Sequence, residues 1–177
     1  ITAEIGTPTA ILLQMMSEYG VRHIPIIDPD SRVQDIALLE ELVKDYEMPL
    51  TAVVMAGGLG TRLRPLTDDL PKPMLPVGDR PLLEHIVTQL RTAGIRRLNI
   101  TTHYKADMIE EYFKDGSSFG INIEYVDEKE PLGTAGALSL IDKPNEPLLV
   151  INGDIVTHVN LQAMLNFHNE QQVDNFL

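Results

Sequence analysis

A glycine-rich segment followed by widely separated cations is the part of this sequence best suited to chemistry. Gly57-Gly58-Leu59-Gly60 comes directly after the apolar run Val53-Val54-Met55-Ala56, and Arg62 and Lys72 follow it. Glycines let backbone N–H groups approach an anion closely, and a guanidinium matches the spacing of phosphate oxygens. Residues 57–80 hold four basic and three acidic side chains, although the chain's net charge is −12. We therefore interpret this segment as a phosphate-binding loop.

Three other interpretations of the same glycines can be weighed against this one. A dinucleotide-binding fingerprint needs a third glycine where Leu63 stands, and the proline-rich stretch that follows is a poor crossover helix. A Walker-type loop needs Gly-Lys-Ser/Thr, which the segment lacks. A purely structural turn would have no need of Arg62, Arg64 and Lys72. The phosphate-binding interpretation is therefore favoured.

The elements around this loop alternate between strands and helices. The predicted strands are 51–56, 97–102, 121–126 and 148–151, and the predicted helices are 81–93, 106–114, 134–140 and 161–169. Helices between successive strands predict right-handed crossovers and a mainly parallel sheet. Open sheets of this α/β class bind ligands at the carboxyl ends of their strands. The loops after Ala56 and after Asn152, the second of which carries Asp154, both follow such ends.

The first part of the chain has a different rhythm. Residues 1–48 contain nine acidic and three basic side chains. The pattern predicts a helix at Ala10–Tyr19, a buried strand at His23–Ile27 and a second helix at Asp35–Lys44. We expect two domains, 1–48 and 49–177. Because a unit of about 48 residues buries little apolar surface by itself, we expect it to pack against another copy or another chain.

Composition excludes several classes of function. The apolar fraction of 44% and the charged fraction of 23% are typical of a globular protein that is not a membrane protein. The net charge of −12 disfavours general nucleic-acid binding, because the phosphate backbone would be repelled. The chain has no cysteine, which excludes disulfides and thiol catalysis and is compatible with a cytoplasmic location.

The stretch from about residue 50 to about residue 169 resembles the sugar-1-phosphate nucleotidyltransferases. The resemblance rests on AGGLGTRLRPLT, PKPMLPVGDRPLLEH and LLVINGD. It implies the Rossmann-like fold of nucleotide-diphospho-sugar transferases, truncated here at residue 177. It also implies that Arg62 and Lys72 are catalytic and that Asp154 is a ligand of Mg²⁺. The residues it implies for nucleotide binding are Ala56, Gly57, Gly58, Gly60, Thr61, Glu128, Gly133 and Thr134.

The base that such an enzyme would bind is suggested by the segment EKEPLGTAG, which begins at Glu128. It most resembles the guanylyltransferases, including those that act on mannose 1-phosphate. A carboxylate can accept both the N1–H and the exocyclic amine of guanine, whereas uracil and thymine suit an amide partner better. Asp127, Glu128 and Glu130 could also be only a solvated acidic turn. We expect guanine, with uridylyl or thymidylyl transfer as the alternative.

The first 48 residues resemble part of a CBS repeat, an α+β unit, through Gly20-Val21-Arg22-His23-Ile24-Pro25-Ile26-Ile27-Asp28. Such repeats pair into modules that often bind adenine nucleotides. Leu38 and Glu41 stand where ribose-binding Ser/Thr and Asp residues are usual. We therefore expect a pairing role, and a homo-oligomer formed through this region.

Together these features predict an enzyme that transfers GMP from GTP to a sugar 1-phosphate and releases pyrophosphate. The alternative from another class is a regulatory relative that binds nucleotides without turnover. Because the chain ends soon after Asp154, we expect these 177 residues alone to be inactive. The identity of the sugar is left open, since the residues that select it are expected further along.

Overall fold

The computed structural model describes residues 1–130, 132–142, 145–157 and 159–171, without the side chains of residues 43–45, 134, 135 and 171. The chain forms two compact units. One comprises Ile1–Met48 together with the last helix, and the other comprises Pro49–Thr157. Within the described ranges, no helix is long and apolar enough to cross a membrane.

Within Ile1–Met48, the first unit contains a three-stranded sheet and two helices. In order, its elements are β1 (Ala3–Glu4), α1 (Thr9–Tyr19), β2 (His23–Ile27), β3 (Val33–Leu38) and α2 (Leu39–Asp45). β2 lies in the middle, parallel to β1 and antiparallel to β3. Ala3, Leu12, Met16 and Ile24 form its buried core, and α1 ends at Gly20 in the left-handed region.

The predicted helix at Asp35–Lys44 is wrong over its first four residues. Val33–Leu38 is a strand that pairs with β2 from His23↔Leu38 to Ile27↔Val33, and the helix begins at Leu39. Asp35 breaks the apolar alternation that would have indicated a strand, and the pairing shifts register between Ile26 and Ile27. Tertiary pairing with β2 therefore outweighed a local pattern that fits a helix.

The second unit is built around a four-stranded parallel sheet. Its strands are β4 (Thr51–Met55), β7 (Arg97–Thr102), β8 (Asn122–Asp127) and β9 (Leu148–Asn152), and a small antiparallel hairpin of β5 (Pro76–Val77) and β6 (Arg80–Pro81) lies between β4 and β7 in the chain. The spatial order of the large sheet is β8-β7-β4-β9. The prediction of a parallel α/β sheet is therefore confirmed.

The helices of this unit follow the strands in the predicted order. They are α3 (Leu82–Thr92), α4 (Ala106–Phe113) and α5 (Gly133–Gly136), the last of which continues as a 3-10 turn at Ala137–Leu140 instead of the predicted single helix. α3 buries an apolar stripe at helical spacing, formed by Leu83, Ile86, Val87 and Leu90. Ile109 and Phe113 do the same for α4.

The centre of the sheet determines where a ligand could bind. β4 lies between β7 and β9, and Ala52, Val53 and Val54 are fully buried. β4 is a central strand of a parallel sheet, buried on both faces. The residues that follow it therefore lie at the carboxyl edge of the sheet. The glycine-rich segment starts there.

The last helix, α6 (Leu161–Gln171), contacts residues from the first part of the chain. Asn166 Nδ2 donates to Gln14 Oε1 of α1 at 3.3 Å, and Tyr46 Oη donates to Gln162 Oε1 at 2.7 Å. The division into domains 1–48 and 49–177 stays a prediction. In the structure α6 packs with Ile1–Met48, and the second compact unit is Pro49–Thr157.

Candidate active site

A cavity of about 370 Å³ opens at the carboxyl ends of β4 and β9. It is lined by Met55, Ala56, Gly57, Gly58, Leu59, Gly60, Thr61, Arg62, Leu63, Lys72, Pro73, Gly153 and Asp154. The residues that line it lie up to 99 positions apart in the chain, and the parallel sheet brings them together. Eight of the eleven predicted site residues are among these.

The junction between β4 and β9 positions Asp154. The backbone N–H of Gly153 donates to the carbonyl of Met55 at 2.8 Å. A Cβ at position 153 would lie 2.8 Å from that carbonyl oxygen, which is closer than real Cβ atoms approach, and 3.3 Å from Cα of Ala56, which is a tight contact. Only glycine therefore allows the chain after β9 to pass against the end of β4, and this approach brings Asp154 to the cavity.

The glycine-rich loop is stabilised by a hydrogen bond from Thr67, which lies further along the chain. Gly60 has φ 63°, in the left-handed region, and a Cβ there would lie 2.9 Å from Cγ2 of Thr67. Thr67 is buried, and its hydroxyl donates to the carbonyl of Gly60 at 2.9 Å. The 3-10 turn Thr61–Leu63 follows directly and carries Arg62.

Two cations lie on the cavity wall. Arg62 is exposed, and none of the residues that the structure describes forms an ion pair or hydrogen bond with its guanidinium. Lys72 begins the 3-10 turn Lys72–Met74, whose backbone is restrained by Pro71 and Pro73. An unpaired guanidinium at the mouth and a lysine on a stiff turn can bind phosphate groups without first breaking a protein contact at Arg62.

Lys72 and Asp154 form an ion pair across the cavity. Lys72 Nζ lies 2.5 Å from Asp154 Oδ2, and the two side chains are 31% and 41% exposed. The pair joins the turn after the glycine-rich loop to the end of β9. Among the described residues, no group of three His, Cys, Asp or Glu side chains could hold a metal by itself.

Glu128 lies behind the glycine-rich loop and does not line the cavity. It is only 7% exposed, unlike the exposed Asp127 and Glu130 on either side, so it is not part of a solvated turn. A Cβ at Gly57 would lie 2.6 Å from Glu128 Oε1, so the carboxylate contacts the loop backbone. Oε2 accepts a long hydrogen bond of 3.4 Å from the N–H of Leu132.

The two remaining predicted residues belong to α5. Gly133 is exposed, has φ 75° and begins α5. Thr134 follows it in α5, and its side chain is outside the described part of the chain. Gly133 does not line the cavity that contains Arg62 and Lys72.

Two residues outside the predicted set, Tyr104 and Lys105, bind the segment that follows the glycine-rich loop. Tyr104 Oη donates to the carbonyl of Asp68 at 3.1 Å, and Lys105 Nζ donates to the same carbonyl at 2.8 Å. A signal was available, because both residues follow the carboxyl end of β7, where side chains face the ligand edge of the sheet.

The family model described as Nucleotidyl transferase matches residues 51–176. A mannose-1-phosphate guanylyltransferase of Mycobacterium tuberculosis is 43% identical over 125 residues, which is 70% of this chain and 35% of that protein.

Two solved structures share the fold. A putative glucose-1-phosphate thymidylyltransferase from Bacillus anthracis superposes with a TM-score of 0.65 at 28% identity, over 70% of this chain and 51% of that one. HddC from Yersinia pseudotuberculosis, solved with GMP-PN, has a TM-score of 0.58 at 31% identity, over 68% of this chain and 54% of that one. The chain therefore spans about a third to about half of the proteins it matches.

Proposed function

The chain belongs to the nucleotidyl transferase family, and on that premise we propose that it carries the nucleotide-binding part of an enzyme that transfers GMP from GTP to a sugar 1-phosphate. The observation that carries the proposal is that the predicted phosphate-binding and metal-binding groups line one cavity. Its wall combines a glycine-rich backbone, the cations Arg62 and Lys72, and the carboxylate Asp154. These groups suit a triphosphate with a bound divalent cation.

The reaction needs alignment and charge neutralisation more than proton transfer. A phosphate oxygen of the sugar phosphate attacks the α-phosphorus of GTP, the bond from the α-phosphorus to the bridging oxygen breaks, and pyrophosphate leaves. The attacking oxygen is already an anion near neutral pH, so no general base is required. Arg62 would bind the phosphates that leave, and Lys72 would bind near the reacting phosphorus and offset the repulsion between anions.

Magnesium fits the residues present. Mg²⁺ is commonly held by one or two carboxylates, with water and substrate phosphates completing its octahedral shell. Asp154 offers one carboxylate in a cavity that also holds phosphate-binding groups. When bound, the ion supplies further neutralisation of phosphate charge. Lys72 must then exchange its contact with Asp154 for a contact with phosphate.

Guanine is the base we assign to this site, through Glu128. Its carboxylate is buried beside Gly57. We propose that the edge of a base bound against the glycine-rich loop meets the carboxylate there. Two charge-assisted hydrogen bonds to N1–H and the exocyclic amine would each contribute about 1.5–3 kcal/mol. The mannose-1-phosphate guanylyltransferase relative and the GMP-PN complex support this base. The thymidylyltransferase neighbour indicates that the fold alone does not select it.

Pyrophosphate release by the full-length protein tests the proposal. GTP, UTP and dTTP are each supplied with Mg²⁺ and a panel of hexose 1-phosphates that includes mannose 1-phosphate. We expect release with GTP and much less with the pyrimidine nucleotides. Faster release with UTP or dTTP would refute guanine, and tight GTP binding without release under any condition would favour a regulatory, non-catalytic protein.

For the first unit we propose a pairing role of the CBS type. The order β1-α1-β2-β3-α2 and the mixed sheet support a CBS-like repeat. Val33, Ile36 and Leu38 on β3 are exposed apolar residues that a second repeat would cover. Sedimentation analysis tests this: a homo-oligomer is expected, and it should dissociate when Ile36 is changed to Glu. The absence of cysteine is in keeping with a cytoplasmic enzyme.

A further inference from the structure

Three consecutive residues that follow β7 form hydrogen bonds to backbone carbonyls beside the proposed nucleotide site. His103, Tyr104 and Lys105 lie between the end of β7 and the start of α4, and all three are partly buried. None of them lines the cavity. Lys105 adopts φ 53°, a left-handed conformation that is costly for a residue with a side chain. The segment therefore keeps an unfavourable backbone conformation at the edge of the site.

Tyr104 and Lys105 hold the phosphate side through backbone carbonyls. Tyr104 Oη lies 3.1 Å from the carbonyl of Asp68 and 3.4 Å from that of Thr67, and Lys105 Nζ lies 2.8 Å from the carbonyl of Asp68. Lys105 Nζ also lies 5.4 Å from the centre of the Tyr104 ring, a cation–π contact. Thr67 in turn donates to Gly60. A continuous chain of contacts thus runs from Tyr104 to the glycine-rich loop.

His103 holds the base side. Its Nδ1 lies 2.5 Å from the carbonyl of Glu128 and donates to it. The N–H of Glu128 donates to the carbonyl of Thr102 at 2.8 Å, so the backbone of Glu128 is fixed on both sides by neighbouring residues of one segment. Cβ of His103 lies 3.4 Å from the position that a Cβ at Gly57 would take. His103 therefore bonds to the proposed base-contact residue and lies near the first glycine of the loop.

We infer that His103 and Tyr104 are separate positioning residues for the two halves of the nucleotide site: Tyr104 sets the phosphate loop through Thr67 and Gly60, and His103 sets Glu128 against the base. The inference rests on the proposed GTP site. Neither residue touches the ligand itself. Because the two contact chains diverge from adjacent residues, loss of Tyr104 weakens triphosphate binding in general, whereas loss of His103 weakens discrimination between bases.

The first test removes one hydroxyl. Tyr104→Phe is compared with Tyr125→Phe, a matched control whose hydroxyl also donates to a backbone carbonyl, that of Lys114, at 2.7 Å. Equilibrium binding is measured at neutral pH with GTP and with UTP. We expect the Kd of both nucleotides to rise by the same factor, about fivefold to tenfold, in Tyr104→Phe and to stay unchanged in the control.

The second test follows the same contact chain into the loop. Thr67→Val, which removes the bond to Gly60, should raise both Kd values like Tyr104→Phe, and Thr67→Ser, which keeps the hydroxyl, should restore binding. Because Tyr104 acts through Thr67, the double variant Tyr104→Phe/Thr67→Val should lose less than the product of the single losses. A loss equal to that product would overturn the serial arrangement.

The third test separates base from phosphate. His103→Leu removes the donor to Glu128 and should lower the preference for GTP over UTP by about fivefold or more. His103→Asn, whose amide nitrogen can take the place of Nδ1, should retain the preference. The melting temperature is measured for every variant, since a merely structural role would lower it without changing the ratio of the two Kd values.

The outcomes distinguish the inference from the function on which it rests. If the unaltered protein binds neither GTP nor UTP, the proposed function fails and the inference with it. If it binds GTP but Tyr104→Phe behaves like Tyr125→Phe, or if His103→Leu leaves the GTP preference unchanged, the inference alone is overturned.

Discussion

Lys72 Nζ and Asp154 Oδ2 lie 2.5 Å apart although the two residues are 82 positions apart in the sequence. Both residues line the cavity, Lys72 on the turn that follows the glycine-rich loop and Asp154 just after the end of β9. Without ligand, each charge neutralises the other. With ligand, phosphate can replace the carboxylate at Lys72 and a divalent cation can replace the ammonium at Asp154. The ion pair is therefore a resting arrangement of two groups that the proposed reaction uses separately.

Replacing Lys72 by Met should abolish most turnover while leaving the fold intact. We expect kcat/KM for pyrophosphate release to fall by about 10²–10³-fold, because a preorganised positive group near the reacting phosphorus is lost. The free energy of unfolding should change by less than about 1 kcal/mol, since the pair is partly exposed. Lys114→Met makes the same chemical change at an exposed position outside the cavity and should keep full activity. Equal losses in both variants would contradict the assigned role.

Arg62 should depend on its shape as well as its charge. In Arg62→Lys the positive charge remains but the planar fork is lost, so kcat should fall by about tenfold to hundredfold. The melting temperature should not change, because Arg62 is exposed and unpaired among the described residues. Steady-state kinetics and thermal unfolding check this. Arg22→Lys, on the surface of the first unit, is the control; unchanged kcat in Arg62→Lys would be evidence against phosphate binding by Arg62.

Gly153 should be intolerant of any side chain. The Cβ in Gly153→Ala would press on the backbone carbonyl of Met55 at 2.8 Å, so either β4 or the loop with Asp154 must move. We expect the free energy of unfolding to fall by about 1–3 kcal/mol and Mg²⁺-dependent turnover to fall with it. Urea unfolding and a titration of activity with Mg²⁺ measure the two effects. Gly58→Ala, where a Cβ meets no atom within 4 Å, should keep the stability of the parent.

A methyl group at Gly57 should alter base selection with little cost to stability. Its Cβ would lie 2.6 Å from Glu128 Oε1, and that carboxylate can swing away because it is the end of a flexible side chain. We therefore expect Gly57→Ala to lower the preference for GTP over UTP, in the same direction as Glu128→Gln. Competition between the two nucleotides in the pyrophosphate assay measures it. An undiminished preference in both variants would remove Glu128 from base recognition.

Tyr125 gives the protein a pH dependence of stability at the alkaline end. Burial, reinforced by the carboxylates of Glu110 and Asp115, raises the pKa of Tyr125 from 10.0 to about 12. The folded state thus favours the neutral phenol, so this contribution to stability is present below pH 10 and is lost as the pH rises from about 10 to about 12. Urea unfolding at several pH values should give a steeper decline over that interval in the parent than in Tyr125→Phe. Parallel declines would contradict the prediction.

The sequence by itself determined the identity and order of the elements that bear the site. The buried run of β4, the glycines after it and the alternating helices predict a parallel sheet with a phosphate loop at its edge, because each signal is local. Arg62 and Lys72 could be proposed in the same way, since their residue types suit phosphate at the end of a strand. The proposal of Asp154 as a metal ligand comes from the family resemblance. The change in charge and rhythm near residue 48 also predicts a domain boundary there.

Only the tertiary structure decided which of these residues meet and what holds them. The Lys72–Asp154 pair and the contact of Glu128 with Gly57 join distant parts of the chain through strand pairing, which no local pattern encodes. For the same reason the local pattern predicts a helix where β3 forms, because pairing with β2 is a long-range interaction. The packing of α6 on α1 is likewise long-range. The supports from His103 and Tyr104 act on backbone carbonyls. Every residue has such a carbonyl, so the sequence alone carries no sign of which ones are bound.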